Sequence, residues 1–284
     1  MTYTYTDKNS DSIKKDLKKG YLIAETPESK MYKITFAGKA SSGPSFGYLQ
    51  IDIGQQDTYK NLLLTALKSY KPKGFSSDVI KKIEESFTKK GSALKLSDDE
   101  VEFINSWMSL NKSKIDEWCN KLTTDYFKVV KDTAEKFDPE NKSNLFNTNA
   151  GLCLFVEFLN QMNPGGAYIQ AWLNNDNSKY ANGKRKDGIT YKEIIRFKGS
   201  LSIADFLIFL YQQGYSVTNP NVQLHNTAGM LSASKYVPSS VEECEKLIFF
   251  FQKFVTPNYK KISKGALTEI TPVLGPLLST AQQV

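Results

Sequence analysis

The chain has 284 residues, 40% of them hydrophobic and 12% aromatic, enough for a sizeable core and too much for a mostly disordered polymer. Its 37 basic against 30 acidic residues give a formal charge of +7 and an isoelectric point near 9.0, so long-range attraction favours polyanionic partners. The lysines read as spread along the whole chain and arginine occurs only at Arg185 and Arg196, which argues against a reader of DNA base edges.

Taken in order, residues 1–12 read as a polar tail. Ile13, Leu17, Tyr21 and Ala24 recur at helical spacing up to Glu25, and Pro27 stops that helix. Met31 to Ala37 alternates in the manner of a strand, Gly38 to Pro44 is a small-residue turn, and Phe46 to Ile53 reads as a second strand. Helices are predicted over Gln56 to Tyr70 and from a Ser77 cap to Phe87. Two more follow, one from a capping box at Ser97-Asp98-Asp99-Glu100 and one over Lys112 to Lys136.

Further on, Gly151 to Met162 is nearly all apolar and predicts a central buried helix, broken by Asn163-Pro164-Gly165-Gly166. Asn174 to Gly188 reads as a surface loop. Helices are predicted around Leu201 to Gln213 and Val241 to Phe254, with an extended end from Thr271. The organisation expected is a domain over residues 13–188 and a helical extension over 189–284, in an α+β class that is mainly α-helical.

Cys119, Cys153 and Cys244 are odd in number and lack CxxC spacing, so they read as reduced, packed thiols. One histidine, His225, and three scattered cysteines make a poor zinc set, and no metal or cofactor is expected. His225 has no nucleophile motif beside it and reads as a surface or helix-packing residue. The first residues lack an apolar signal segment and no apolar stretch is long enough to cross a bilayer. The expectation is therefore a product made in the cytoplasm, without membrane insertion.

Two carboxyl groups carry the chemistry. Glu25 closes an apolar helical stretch (Tyr21, Leu22, Ile23, Ala24), and Asp52 ends the run Ser45-Phe46-Gly47-Tyr48-Leu49-Gln50-Ile51-Asp52 among polar neighbours. Glycosidic cleavage needs one carboxyl that keeps a proton near neutral pH and one that stays ionised, so their surroundings must differ. Glu25 fits the first role and Asp52 the second; Glu28, in a polar Thr-Pro-Glu-Ser stretch, is the rival acid. Tyr48 and Gln50 are candidates to stack on and hydrogen-bond to sugar, or else to pack the hairpin.

The pattern Ile23-Ala24-Glu25-Thr26 with Phe46-Gly47-Tyr48-Leu49-Gln50-Ile51-Asp52 resembles the goose-type lysozymes and the related soluble lytic transglycosylases. There a helix ends in the catalytic Glu and a Gly-Leu-Met-Gln run lines the groove; Tyr48 here stands at a family Leu. Asp52-Ile53-Gly54-Gln55 after a helix-borne Glu also resembles the pesticin and phage-type muramidases. Those place a Thr near the Asp, for which Thr35, Ser42 and Ser45 are the candidates. Residues 154–174 resemble the helix, Gly-rich turn and helix of the phage-type lobe, and Phe146 to Gly151 faintly resembles a Tyr-Asn-Ala-Gly motif of lytic transglycosylases or is simply a capped helix start.

The resemblance implies a lysozyme-like fold, with a small β-hairpin lobe against a helical lobe and extra C-terminal helices. It implies a muramidase that cleaves the β-1,4 bond between N-acetylmuramic acid and N-acetylglucosamine, with Glu25 as general acid and Asp52 as second carboxylate. Tyr48, Gln50, Ser45 and Thr35 would contact substrate. Rival readings are a lytic transglycosylase, which needs one Glu, and a non-catalytic peptidoglycan-binding protein; nucleic acid is not the expected partner. A muramidase without a leader would reach the wall by lysis, as an endolysin, or by a secretion machine, as an antibacterial effector. The producer of an effector needs an immunity protein.

Overall fold

The computed structural model describes residues 7–24, 28–36, 42–138, 143–162 and 202–212, and after them residues 227, 229–238, 240, 243 and 245–247. Among these the chain is mainly α-helical, with one small antiparallel sheet of three strands. It divides into two compact units, one formed by residues 1–25 with 123–284 and the other by residues 26–122. This division falls inside the span 13–188 expected as one domain. The loop at 174–188 and the end from Thr271 lie outside the described residues.

The 26–122 unit begins with a helical turn, α2 (Glu28–Met31), and the sheet β1 (Thr35–Phe36), β2 (Pro44–Phe46) and β3 (Ile51–Asp52). β2 is central, pairing antiparallel with both neighbours. The strand expected over Met31 to Ala37 is reduced to two residues. Its backbone groups turn elsewhere: Lys33 N–H donates to the Lys30 carbonyl at 3.2 Å and Ile34 N–H to Asn105 Oδ1 at 2.7 Å.

The strand expected over Phe46 to Ile53 is two strands joined by a tight turn at 47–50. Gly47 (φ 75°) and Gln50 (φ 52°) occupy the left-handed region, which reverses the chain. The Gln50 backbone N–H and side-chain amide both donate to the Gly47 carbonyl, at 3.1 and 3.0 Å. A Cβ on Gly47 would also fall 2.5 Å from Cys119 Sγ, so the position demands glycine twice over.

Three helices follow. In α3 (Asp57–Lys68), Leu63 and Leu67 are buried, and in α4 (Ser77–Phe87) the inward stripe is Val79, Ile83 and Phe87, at i, i+4 and i+8. Ser76, one residue before the expected cap, caps α4 by accepting from Asp78 N–H at 3.2 Å. In α5 (Asp98–Leu110) the expected capping interaction forms: Glu100 accepts from the Ser97 backbone N–H at 2.6 Å and from its hydroxyl at 2.7 Å. Stacked Trp107 and Trp118, 5.7 Å apart, with Phe46 edge-on to Trp118 at 6.0 Å, form the aromatic centre of this unit.

α6 (Lys112–Phe137) supplies residues to this unit up to Leu122 and to the other from Thr123. In the second unit α1 spans Asp7–Ala24, so helix replaces the last part of the expected tail. The Asn149 side chain ties its start, donating to Asp16 Oδ2 at 2.8 Å and Ser12 Oγ at 3.2 Å. Ser143 caps the short α7 (Asn144–Asn147), and α8 (Asn149–Met162) starts where Gly151 N–H meets Thr148 Oγ1 at 3.2 Å.

Residues 150–159 of α8 are buried all round, as the apolar stretch predicts for a helix inside a core. α9 (Ile203–Gln212) lays Phe206 flat on Phe155, with ring centroids 5.5 Å apart and planes 10° apart. Phe158 meets the same ring edge-on at 5.9 Å. No helix among the described residues is long and apolar enough to cross a membrane.

Candidate functional site

The sheet brings three of the sequence-predicted residues into one row. Thr35 pairs with Ser45 across β1–β2, and Ser45 pairs with Asp52 across β2–β3. Directly opposed residues of an antiparallel ladder project to the same face, so two hydroxyls and a carboxylate line up over roughly 10 Å, two strand spacings. Ser45, at the centre, is buried, while Thr35 and Asp52 are half-buried.

Backbone amides set the direction of the Asp52 carboxylate. Gly54 N–H donates to Oδ1 at 2.7 Å, and Gly43 N–H lies 3.1 Å from both oxygens. Charge-assisted bonds of this kind fix a side chain more firmly than a mobile lysine would. They depend on close backbone packing: a Cβ on Gly43 would sit 2.9 Å from Gly54 Cα, and one on Gly54 would sit 2.8 Å from the Gly91 carbonyl oxygen. Gly91 N–H donates to the Gly54 carbonyl at 2.9 Å, tying the turn after β3 to the start of a 3₁₀ turn at Gly91–Ala93.

Gln50 closes the row at its other end. The Thr35 hydroxyl donates to Gln50 Oε1 at 2.6 Å and lies 3.1 Å from the Ser45 carbonyl. The Gln50 side chain is thus held by Thr35 and by the Gly47 carbonyl together. The neighbouring Tyr48 is 1% exposed, and its hydroxyl donates to Asn120 Oδ1 at 2.8 Å. Tyr48 therefore packs the turn and has no open face on which to stack a sugar, which corrects the expectation for this residue. Of its two readings, packing holds.

Glu25, and with it the helix-borne acid, lies outside the described residues, as do His225 and Cys244. Glu28 is exposed in the first turn of α2, as its polar surroundings suggest. Ser42 is half-buried before β2.

One charged group that the sequence reading passed over stands out in the second unit. Glu157 is 2% exposed in the middle of α8 and accepts a hydrogen bond from the Tyr21 hydroxyl on α1. Asn160 Nδ2 donates to the same Tyr21 oxygen at 3.2 Å, and Tyr126 of α6 donates to Asn160 Oδ1 at 3.1 Å. Three helices are pinned through this network, four residues before Glu25 in the chain. The signal was present: a lone Glu inside Leu152-Cys153-Leu154-Phe155-Val156-Glu157-Phe158-Leu159 is seldom buried without partners.

A second buried acid, Asp205, pairs with Lys246 Nζ at 3.1 Å and accepts from the Ser202 backbone and hydroxyl, both at 2.9 Å. Burial pushes its carboxyl above the usual range, against the pull of those partners. This cluster caps the start of α9 and serves structure. Among the described residues no group of three or more His, Cys, Asp or Glu side chains is placed to hold a metal ion.

No family model, curated protein or solved structure matches the chain. The geometry by itself offers a fixed carboxylate flanked by hydroxyls and an amide on one sheet face. Such a row accepts hydrogen bonds from a hydroxyl-rich ligand and sets a negative charge beside any positive charge that develops on it.

Proposed function

We propose that the chain is a peptidoglycan muramidase of lysozyme-like fold that hydrolyses the β-1,4 bond between N-acetylmuramic acid and N-acetylglucosamine. The observation that carries the reading is the row Thr35–Ser45–Asp52, with Asp52 held by two backbone amides on a small sheet. In this reading Glu25 gives its proton to the glycosidic oxygen as the bond to the sugar carbon breaks. The Asp52 carboxylate faces the positive charge spreading over the ring and directs the incoming water. Thr35 and Gln50, both half-buried, hold hydroxyl and amide groups of the sugar; buried Ser45 supports the row and Tyr48 the turn from inside.

A second carboxylate favours hydrolysis, because the single-acid elimination of a lytic transglycosylase has no need of one. The test is digestion of purified Gram-negative sacculi by the wild-type chain and by Glu25→Gln, with products read by mass spectrometry. Reducing-end muropeptides from the wild type alone are expected. Anhydro products would transfer the assignment to a transglycosylase, and absence of release by the wild type would remove the enzymatic reading.

A further inference from the structure

Gly54 aims the Asp52 carboxylate, and Gly54 is itself held by a segment distant in sequence. The turn after β3 closes on Asp52: Gln55 and Gln56 N–H donate to its carbonyl at 3.1 and 2.8 Å, while Gly54 N–H reaches its carboxylate at 2.7 Å. The Gly54 carbonyl then accepts from Gly91 N–H at 2.9 Å. Gly91 takes φ 53°, and a Cβ on Gly54 would fall 2.9 Å from the Gly91 nitrogen, so the two backbones meet directly. Whatever holds residues 89–91 therefore holds the amide that orients Asp52.

That hold converges on one carboxylate. Asp57, the first residue of α3, receives Lys60 Nζ on Oδ1 at 2.7 Å and Lys90 Nζ on Oδ2 at 2.8 Å. Lys60 Nζ also lies 3.5 Å from the Lys89 carbonyl oxygen, so both lysines lead into residues 89–91. With the covalent chain from Gly54 to Asp57, the contacts close a ring through Lys90 and Gly91 back to Gly54. The Lys90 arm alone would contribute little, because it is an exposed pair in water. Lys60 makes the difference. It is 5% exposed, and a buried ammonium needs a counter-charge, which among the described residues Asp57 alone supplies.

We infer that Asp57 is a positioning residue for Asp52: its bridge to Lys60 and Lys90 clamps residues 89–91 onto the turn after β3 and so keeps Gly54 N–H on the carboxylate. The consequence for catalysis rests on the muramidase role proposed for Asp52; the clamp rests on the geometry alone. Asp57 acts through Gly54 and has no bond to the Asp52 side chain. The rival reading is an ordinary acid at a helix start, favoured there by the helix dipole. Glu84 supplies the comparison: it pairs with Lys68 at the same 2.8 Å and joins α4 to α3, but neither side chain bonds to residues 89–91.

The test is nuclear magnetic resonance of the full chain at pH 7, where Asp57 is ionised, following the Gly54 and Gly91 amides, with muropeptide release measured alongside. In Asp57→Asn the Gly54 amide proton is expected to shift in the direction it shifts in Asp52→Asn. Solvent exchange of both glycine amides should quicken about tenfold. Lys90→Gln leaves Lys60 its counter-charge and should move the same signals less, while Asp57→Glu should restore them and Glu84→Gln should leave them in place. Release by Asp57→Asn should lose about tenfold in kcat at unchanged KM, as misplacement of a reacting group predicts. Glycine amides unmoved in Asp57→Asn, or moved as far by Glu84→Gln, would overturn the proposal. Should Asp57→Asn fail to fold, unmoved signals in Lys90→Gln would overturn it equally. The amide signals need no cleavage: if they move as expected and the wild type releases no muropeptides, the clamp stands and the muramidase falls.

Discussion

Ser45 stands directly opposite Asp52 across the β2–β3 ladder, so a hydroxyl and a carboxylate share one face of a three-stranded sheet. Thr35 continues the row on the far side of Ser45, and Gln50, in a left-handed turn, reaches back to the Thr35 hydroxyl. The arrangement is short-range in origin: three strands of two or three residues, all within residues 35–52, bring these side chains together. Such small strands are anchored inward by buried side chains, Tyr48 and Leu49 of the turn 47–50 with Phe46, Ile51 and Ile53 beside them.

The backbone cradle of Asp52 leaves no room for a methyl group. Gly54→Ala is expected to lower stability by about 2 kcal/mol, because its Cβ would meet Gly91 backbone atoms that cannot swing aside. Thermal denaturation gives the stability. Release of wall fragments by the surviving folded fraction should fall further than the loss of folded protein explains, since Gly54 N–H orients Asp52.

The Tyr21–Glu157 contact is expected to stabilise the second unit. Tyr21→Phe removes a donor to a buried carboxylate and should cost about 1–3 kcal/mol, measured by urea denaturation. Glu157→Gln keeps an acceptor for the tyrosine and should cost less than Glu157→Leu. Equal losses for Gln and Leu would show that the hydrogen bond contributes little.

Asp57 gives a defined acid response. Hydrogen bonds first from Lys60 and then from Lys90 lower its carboxyl from 3.8 to about 2. A depressed carboxyl contributes stability that is fully present above the unfolded value near 4 and lost as pH falls through about 2. Asp57→Asn should therefore be less stable than wild type at pH 7, with the difference shrinking between pH 4 and pH 2. Melting temperatures across that range check the sign; a difference that grows on acidification would contradict it.

Two thiols should be silent in the native protein. Cys119 and Cys153 are buried, and burial pushes the Cys153 thiol up to about 12. A thiol raised that far stays protonated at pH 8, and the thiol is the unreactive form. Titration with a chromogenic disulfide reagent should label neither cysteine until denaturant is added, and peptide mapping identifies the sites.

Much of the helical framework was legible because its signals are local. Ser97 and Glu100 announce the start of α5, and the spacing of Ile115, Trp118, Leu122, Phe127 and Val130 marks α6 to within one residue of its end. The sheet was harder. Phe46, Tyr48, Ile51 and Ile53 look like one alternating strand, and only the positive φ at Gly47 and Gln50 reveals the reversal. The row itself could not be read, since register depends on which residues pair across turns. The burial of Tyr48 follows from that turn as well. Glu157 was visible only as an acid in an apolar run, with its partner Tyr21 lying 136 positions away.

The most direct measurement is release of muropeptides from purified sacculi by wild type and by Asp52→Asn. Asparagine keeps Oδ1 as an acceptor for Gly54 and Gly43 N–H, and loses the charge and the second acceptor oxygen, so the fold should survive. The account predicts unchanged binding to sacculi, an unchanged melting temperature and a fall in release of about 100-fold or more. Release by Asp52→Asn at the wild-type rate would contradict the role given to this carboxylate.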